Sequence, residues 1–347
     1  MKILIVKTSS LGDIIQSFAV VEYLKRRFPE AEIDWVVENE YLTLIQAHPH
    51  LRKAISFGSR DWRKTFWPWG GIQKFIADLR KESYDLLFDL QGNTKSAFIT
   101  KLARADKKIG FGKKSVAEWP NQWVTDRGVE VDRTLPIQQR YLQVVQTYLG
   151  DTQLFIPQGV ALRLSPEEQK QLSSFCFSHR PKIMVACGSR WANKRLSEKT
   201  LSEFLSRFEA ENPYFYFIYG NAGEKKAAEE FHALFPLSQT VGTPSIALWQ
   251  GLMREMDLVI AVDSAALALC GTTSTPSISF FGPTRSGVYK PLGDHHVAWQ
   301  GACPYKVAFE ARCPRLRTCK TGACLKNAAA TELSDYFTEN TKESLKT

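Results

Sequence analysis

No run of eighteen apolar residues occurs anywhere in this sequence, which excludes a membrane-spanning helix and leaves only peripheral contact with a bilayer. The opening MKILIVKTSS has one lysine before a four-residue apolar run that Lys7 interrupts, too short for a secretory core, so a cytoplasmic location is expected. Low-complexity tracts are missing, which argues against a disordered or fibrous chain. Neither half carries a G-x-G-x-x-G turn after a strand-like run, so a nicotinamide oxidoreductase is disfavoured. Nucleic-acid-binding motifs are absent as well, and nucleic acid is not an expected partner. Seven cysteines without a leader point to reduced thiols rather than a disulfide framework. Four crowd the C-terminal end, Cys303, Cys313, Cys319 and Cys324, but only the last two approach zinc-ligand spacing. Packed thiols are the leading reading of that group and a metal site the alternative, with no metal expected.

What is present is ordinary globular material. Hydrophobic residues make up 44% and charged residues 23% of 347, a length that favours two domains over one core. The net charge of +9 favours an acidic partner such as a phosphate-bearing ligand, nucleic acid or an anionic membrane surface, and charge alone does not choose among them.

The first forty residues read as a βαβ unit: a strand over Ile3 to Val6, a Ser/Gly turn over Ser9 to Gly12, an amphipathic helix, and a second strand over Ile33 to Val37. In the helix Ile14, Phe18, Val21, Leu24 and Phe28 share one face, and Pro29 stops it. A strand over Tyr84 to Leu90 runs into Gln91-Gly92-Asn93 and a further helix. Periodicity lapses over 151–159, after which Ser165-Pro166-Glu167-Glu168 supplies an N-cap, a first-turn proline and a capping-box glutamate. Alternation then restarts with strands over Ile183 to Ala186, Tyr214 to Tyr219, Asp257 to Val262 and Ser277 to Phe281. The expected architecture is α/β: two doubly wound, Rossmann-like domains facing across a cleft, with ligands at the turns that follow the strands. Their expected limits are 1–160 and 161–330, with a terminal helix over 331–347 that is a candidate to cross back to the first domain.

The first strand delivers Thr8-Ser9-Ser10-Leu11-Gly12-Asp13, placing a carboxylate in the opening turn of a helix. Asp13 is then either a cap for helix amides or a general base. Lys194 is either a solvated loop lysine or a cation for a leaving phosphate. Ser264 ends a buried strand where a hydroxyl could hold phosphate, and Asp263 beside it is better suited to organising the turn. Glu224 reads equally as a ligand for ribose hydroxyls and as a helix N-terminal carboxylate. Arg60, Arg63 and Lys64 form a cationic segment with Trp62 inside it and Phe66, Trp67 and Trp69 behind; this is a solvated face or a grip on oxyanions, with the aromatics at a membrane interface.

Taken together, KTSSLGD after the first strand, DWVVE at 34–38, RDWRK at 60–64, DLQGNTKSA at 89–97, GSRWANKR at 188–195, the Asp263-Ser264 pair and FGPT at 281–284 resemble the lipopolysaccharide heptosyltransferases of glycosyltransferase family 9, over nearly the whole chain. The resemblance implies a GT-B fold and metal-independent, inverting transfer of L-glycero-D-manno-heptose from ADP-heptose to Kdo on a lipid A precursor. No cofactor is implied beyond the donor. By position it makes Asp13 the base, with Lys194 meeting the charge of the leaving diphosphate. Ser189, Arg190, Glu224, Asp263, Ser264 and Ala265 fall on the donor side. Ser10, Gly12, Arg60, Arg63, Lys64, Gln91 and Lys95 fall on the acceptor side. The implied protein works as a monomer, peripheral on the cytoplasmic face of the inner membrane.

The pattern departs where family members follow the Asp-Ser/Thr pair with glycine and place a histidine five residues after the aspartate; here those positions are Ala265 and Ala268. The departures keep two other readings open, a relative using another sugar nucleotide or acceptor, and a catalytically weakened protein that binds anionic lipid.

Overall fold

The computed structural model describes residues 1–62, 69–175, 177–186, 188–242 and 244–344, apart from the side chains of Arg60 and of residues 341–344. The chain divides into two compact units, Met1–Arg163 and Leu164–Thr347.

In the first unit, short apolar runs bounded by polar turns form a parallel sheet of β1 (Lys2–Val6), β2 (Glu32–Glu38), β3 (Lys53–Phe57), β4 (Tyr84–Asp89), β5 (Ala105–Phe111) and β6 (Arg127–Val129), in the order β3-β2-β1-β4-β5-β6. Ile3, Leu4, Ile5 and Val6 are all 0% exposed, as a central strand covered on both faces requires. Ile3 stands opposite Ile33 on one side and Leu86 on the other. The chain winds outward from β1 to β3, then restarts at β4 and winds the other way. That reversal opens a crevice at the C-terminal ends of β1 and β4.

One helix was expected after β1, and two are found, Leu11–Gln16 and Phe18–Arg27. The break falls at Ser17, whose hydroxyl donates to the Asp13 carbonyl at 2.7 Å and whose amide is shared between the carbonyls of Asp13 and Ile14. A serine that back-bonds to the preceding turn competes with the regular ladder. The apolar face survives: Ile14, Phe18, Val21 and Leu24 are buried, and Phe28 is left half-exposed at the end.

The second unit repeats the design with β7 (Lys182–Ala186), β8 (Tyr214–Tyr219), β9 (Ser238–Gly242), β10 (Leu258–Val262), β11 (Ser277–Phe281) and β12 (His296–Gln300), in the order β12-β11-β10-β7-β8-β9 with every pairing parallel. Here the reversal lies between β7 and β10. One face of the sheet is sealed by aromatics: the Phe204 ring meets Phe280 and Phe337 edge-on at centroid distances of 5.3 and 5.8 Å. Phe337 belongs to the terminal helix Ala330–Ser344, which packs on the helix Glu198–Leu205 and on β12. The capping box forms as its residues dictate: the Ser165 hydroxyl accepts from the Glu168 amide at 3.2 Å and the Glu168 carboxylate from the Ser165 amide at 2.7 Å.

Candidate functional site

At the reversal of the first sheet, the turn after β1 is held by the turn after β4. The Gln91 side-chain oxygen Oε1 accepts from the amides of Thr8 and Ser9, both at 3.1 Å. Gln91 is itself fixed because Asp89, fully buried, accepts from the amides of Gln91 and Gly92 at 2.9 Å, from Thr100 Oγ1 at 2.9 Å and from Asn121 Nδ2 at 2.6 Å. The held turn ends at Ser10, the N-cap of the helix carrying Gly12 and Asp13. Ser10 donates to Asp13 Oδ2 from its hydroxyl at 2.6 Å and from its amide at 3.3 Å. Asp13 is half-buried and makes no ion pair among the described residues. The carboxylate therefore does cap its own turn, and no salt bridge engages it among the described residues.

Lys7, at the end of β1, was not singled out from the sequence. It is 4% exposed, its ammonium lies 4.8 Å from the centre of the Tyr141 ring, and burial pulls its pKa down against the opposing pull of Asp13 and Asp89. A lone lysine within an apolar strand carries no signal that its head will sit beneath a turn of carboxylates.

The acceptor-side cations have separate fates. Lys95 is engaged by Glu38, with Nζ 2.7 Å from Oε1, and Glu38 is buried and also accepts from Ser59 Oγ at 2.5 Å. Arg60 has its backbone in the short helix Ser59–Trp62, and Arg63 and Lys64 lie outside the described residues, as do Phe66 and Trp67. The Trp62 ring packs on Phe57 and Phe75 at 5.0 and 5.8 Å, so it serves the core rather than an interface. The cause is register: Trp62 ends a one-turn helix whose inner face abuts the buried end of β3.

In the second unit, the reversal between β7 and β10 brings together Lys194 and Asp263, 69 residues apart, with Nζ 2.5 Å from Oδ2. Their side chains are only 12% and 15% exposed, and Thr284 Oγ1 donates to the same carboxylate oxygen at 2.5 Å. Asp263 thus organises the turn by clamping a cation. Beside it, Ser264 is the N-cap of the helix Ala265–Cys270, makes no capping bond, and its Oγ is buried with no hydrogen-bond partner among the described residues. Ala265 opens that helix half-exposed, while Ala268 is buried.

Ser189 is buried; its hydroxyl accepts from the Trp191 amide at 3.3 Å and its carbonyl from Arg195 Nε at 2.8 Å. Arg190 is exposed. Glu224 sits in the first turn of the helix Ala222–Leu234 and accepts from the Gly220 amide at 2.8 Å, with Arg195 Nη2 4.0 Å away. Gly188 is required by that approach, since a Cβ there would lie 2.6 Å from Glu224 Cδ. Arg195 and Glu224 also line a cavity of about 100 Å³ floored by Val185, Phe217 and Phe231. Arg195 and Thr284 are site residues that sequence reasoning passed over, although both lie inside motifs it used.

Among the described residues no group of three or more His, Cys, Asp or Glu side chains is placed to hold a metal ion, and Cys303, Cys313, Cys319 and Cys324 are free thiols. Cys324 is pushed up to about 11, by burial first and then by the three neighbouring sulfurs, and hydrogen bonds led by the Gly322 amide hold Cys319 below its usual range.

Comparison with known proteins bears on this geometry. The sequence model of glycosyltransferase family 9 (heptosyltransferase) matches residues 72–317. Lipopolysaccharide heptosyltransferase 1 of Pseudomonas aeruginosa is 26% identical over 310 residues, covering 86% of this chain and 83% of that protein. The protein of the same name from Campylobacter coli is 28% identical over 301 residues, covering 82% and 85%. Among solved structures, E. coli heptosyltransferase WaaC with ADP matches at a TM-score of 0.81 and 21% identity, over 98% of this chain and 100% of that one. Two parallel six-stranded sheets in this order, with that likeness, are the GT-B fold.

Proposed function

Since the chain belongs to glycosyltransferase family 9, we propose that it transfers L-glycero-D-manno-heptose from ADP-heptose to a Kdo unit of the lipid A-linked inner core, with inversion at the anomeric carbon. The observation that carries this reading is the clamped Lys194 beside the unpartnered Ser264 hydroxyl. A buried polar atom with no partner is costly unless a ligand completes it, and a fixed ammonium next to it suits a diphosphate. Heptosyltransferase 1 relatives cover most of the chain, and a WaaC structure holds ADP-2-deoxy-2-fluoro heptose.

In the reaction, Asp13 takes the proton of an acceptor hydroxyl as its oxygen attacks the anomeric carbon. The bond from that carbon to the β-phosphate oxygen breaks, and ADP leaves with the electron pair. Lys194 offsets the charge that grows on the leaving oxygens, and because Asp263 and Thr284 already hold it, little reorganisation is needed as the charge appears. Ser264 and Ser189 donate to the diphosphate, Glu224 receives ribose hydroxyls, and Arg190 and Ala265 border the donor. On the acceptor side Ser10, Gly12, Gln91 and Lys95 shape the hydroxyl's seat, while Arg60, Arg63 and Lys64 supply charge for phosphates and carboxylates. The enzyme works as a cytoplasmic monomer, touching the inner membrane peripherally. Its domains are taken as 1–160 and 161–330 with a terminal helix over 331–347.

Asp13→Asn tests the assignment. Turnover should fall by roughly two to four orders of magnitude while ADP affinity stays as in the parent. Equal turnover would remove Asp13 from the mechanism. A folded parent that binds ADP but transfers from a different sugar nucleotide would favour the second reading, which Ala265 and Ala268 motivate.

A further inference from the structure

The segment between β5 and β6 holds two indoles out in water. Trp119 and Trp123 are 61% and 71% exposed, and their rings meet edge-on with centroids 4.0 Å apart. They bracket Asn121, which is 0% exposed and donates to Asp89 Oδ2 at 2.6 Å and Ser96 Oγ at 3.2 Å. The neighbours are pinned too: Gln122 Nε2 donates to the Phe111 carbonyl at 2.6 Å, and the Glu118 amide to the Gly92 carbonyl at 3.0 Å. This is therefore a rigid turn whose inner residues are locked so that its flanking aromatics stand outward. On the helix Thr94–Leu102, which packs against the turn, Phe98 is 42% exposed. An indole carries a large apolar area that favours burial, so a pair left out together calls for an occupant.

Charge indicates which one. Residues 101–127 carry seven Lys and Arg against three Asp and Glu. Lys101, Lys107, Lys113 and Lys114 are exposed and their ammonium groups make no salt bridge among the described residues, although the Lys114 amide donates to the Glu130 carboxylate at 3.1 Å. Glu118, the acid nearest the indoles in sequence, is already spent on the amide and hydroxyl of Thr94. Exposed amphipathic indoles in a segment rich in lysines without salt bridges match the headgroup layer of an anionic bilayer, where the ring enters the acyl boundary and the cations remain with phosphate. Neither indole N–H has a protein acceptor among the described residues, which leaves both available to headgroup oxygens.

We propose that Trp119, Trp123 and Phe98, together with the exposed Lys101, Lys113 and Lys114 of the same chain segment, dock on the surface of an anionic phospholipid bilayer. This rests on the reading above for its setting, a membrane-borne acceptor, but the contact is independent of the reaction and is tested without it. The Asp89 network that orders the turn after β4 also holds Asn121, so the docking face and the acceptor-side turn share one buried anchor.

The test is flotation of the full chain with phosphatidylcholine vesicles that contain or lack phosphatidylglycerol. The parent is expected to float with the anionic vesicles, less so as salt rises, and to stay in solution with phosphatidylcholine alone. Trp119→Ser with Trp123→Ser should weaken binding roughly tenfold or more, and Lys113→Glu with Lys114→Glu should remove its salt dependence. Both variants change exposed side chains, and ADP binding serves as the check on folding. Transfer to a soluble acceptor lacking acyl chains should be unchanged, which separates failure of the docking face from failure of the proposed reaction. The proposal is overturned if the indole variant floats like the parent, if the parent ignores anionic vesicles, if the variant converts a dimer to a monomer, or if single-stranded nucleic acid competes the vesicles away.

Discussion

Each unit buries one histidine, and together they make stability fall with pH in a way that can be worked out. His48 is 0% exposed, with the Phe18 ring 4.6 Å away and Nδ1 accepting from the His50 amide at 3.2 Å. Its Nε2 is buried with no partner. His296 is 2% exposed, with Nδ1 2.9 Å from Ser277 Oγ. Burial, reinforced by His50 and Arg163 at His48 and by His295 and Lys290 at His296, pulls each from 6.5 down to about 3. The folded value lies below the unfolded one, so the unfolded chain binds the extra proton. Stability is complete above about pH 6.5 and is lost as pH falls from there toward 3. Between pH 7 and pH 5 the folded ring stays neutral while the unfolded ring becomes almost fully charged, a loss of about 1.9 kcal/mol per histidine. Urea unfolding followed by tryptophan fluorescence at the two pH values, at one ionic strength, measures it. His48→Gln and His296→Asn should each be less stable than the parent at pH 7, with the gap narrowing by about 1.9 kcal/mol at pH 5. If parent and variants lose stability in parallel, the buried imidazoles are not the source and the reasoning fails.

Three further outcomes are expected. Lys194→Ala should weaken ADP binding by roughly tenfold or more, because it removes a cation and leaves Asp263 to repel phosphate; calorimetry showing unchanged affinity would take Lys194 out of the donor site. Gly188→Ala should displace the Glu224 carboxylate and lower affinity for ADP more than for inorganic diphosphate, a difference that vanishes if Glu224 serves only its own helix. Ser165→Ala should cost about 1 kcal/mol, read as a shift of the urea midpoint, because both arms of the capping box are formed.

The strands next to each reversal were legible because both their faces are covered. KILIV and LVIAV carry apolar runs of four and five residues and YDLLFD one of three between its two aspartates, and β8 and β11 coincide with their expected limits. β3, β5, β6, β9 and β12 were passed over; four of them are the edge strands of the two sheets, and β5 lies next to the edge strand β6. In β5, ADKKIGF, Asp106 and Lys107 are exposed and Ile109 is the one large side chain fully inside, so the periodicity is swamped by charge. The site residues were visible as turn motifs, yet the pairings that give them meaning were not. Nothing local says that Lys194 meets Asp263, that Glu38 holds Lys95, or that Gln91 props the Thr8 and Ser9 amides. Those are consequences of strand order, which brings turns distant in sequence to one end of a sheet.

Strand order also explains why two halves of one topology hold their charged groups so differently. A base must accept a proton, and an ion pair would make that harder by stabilising its charged form. Among the described residues the Asp13 carboxylate is hydrogen-bonded by Ser10, through donors that fix its position without a salt bridge. A cation that meets a leaving diphosphate has the opposite need, since freedom to move would have to be lost as the charge develops. Lys194 is accordingly pinned by a carboxylate that is itself pinned by Thr284, at the cost of sharing its charge. Exchanging the two arrangements would damage both: a lysine placed beside Asp13 would blunt the base, and Asp263→Ala would free Lys194 to wander. The second change has a distinct signature. Because an unpaired ammonium still attracts phosphate, Asp263→Ala should retain ADP affinity within a few-fold while turnover falls by roughly tenfold or more. If affinity and turnover instead fall together, Asp263 acts through binding alone and the pinning argument is wrong.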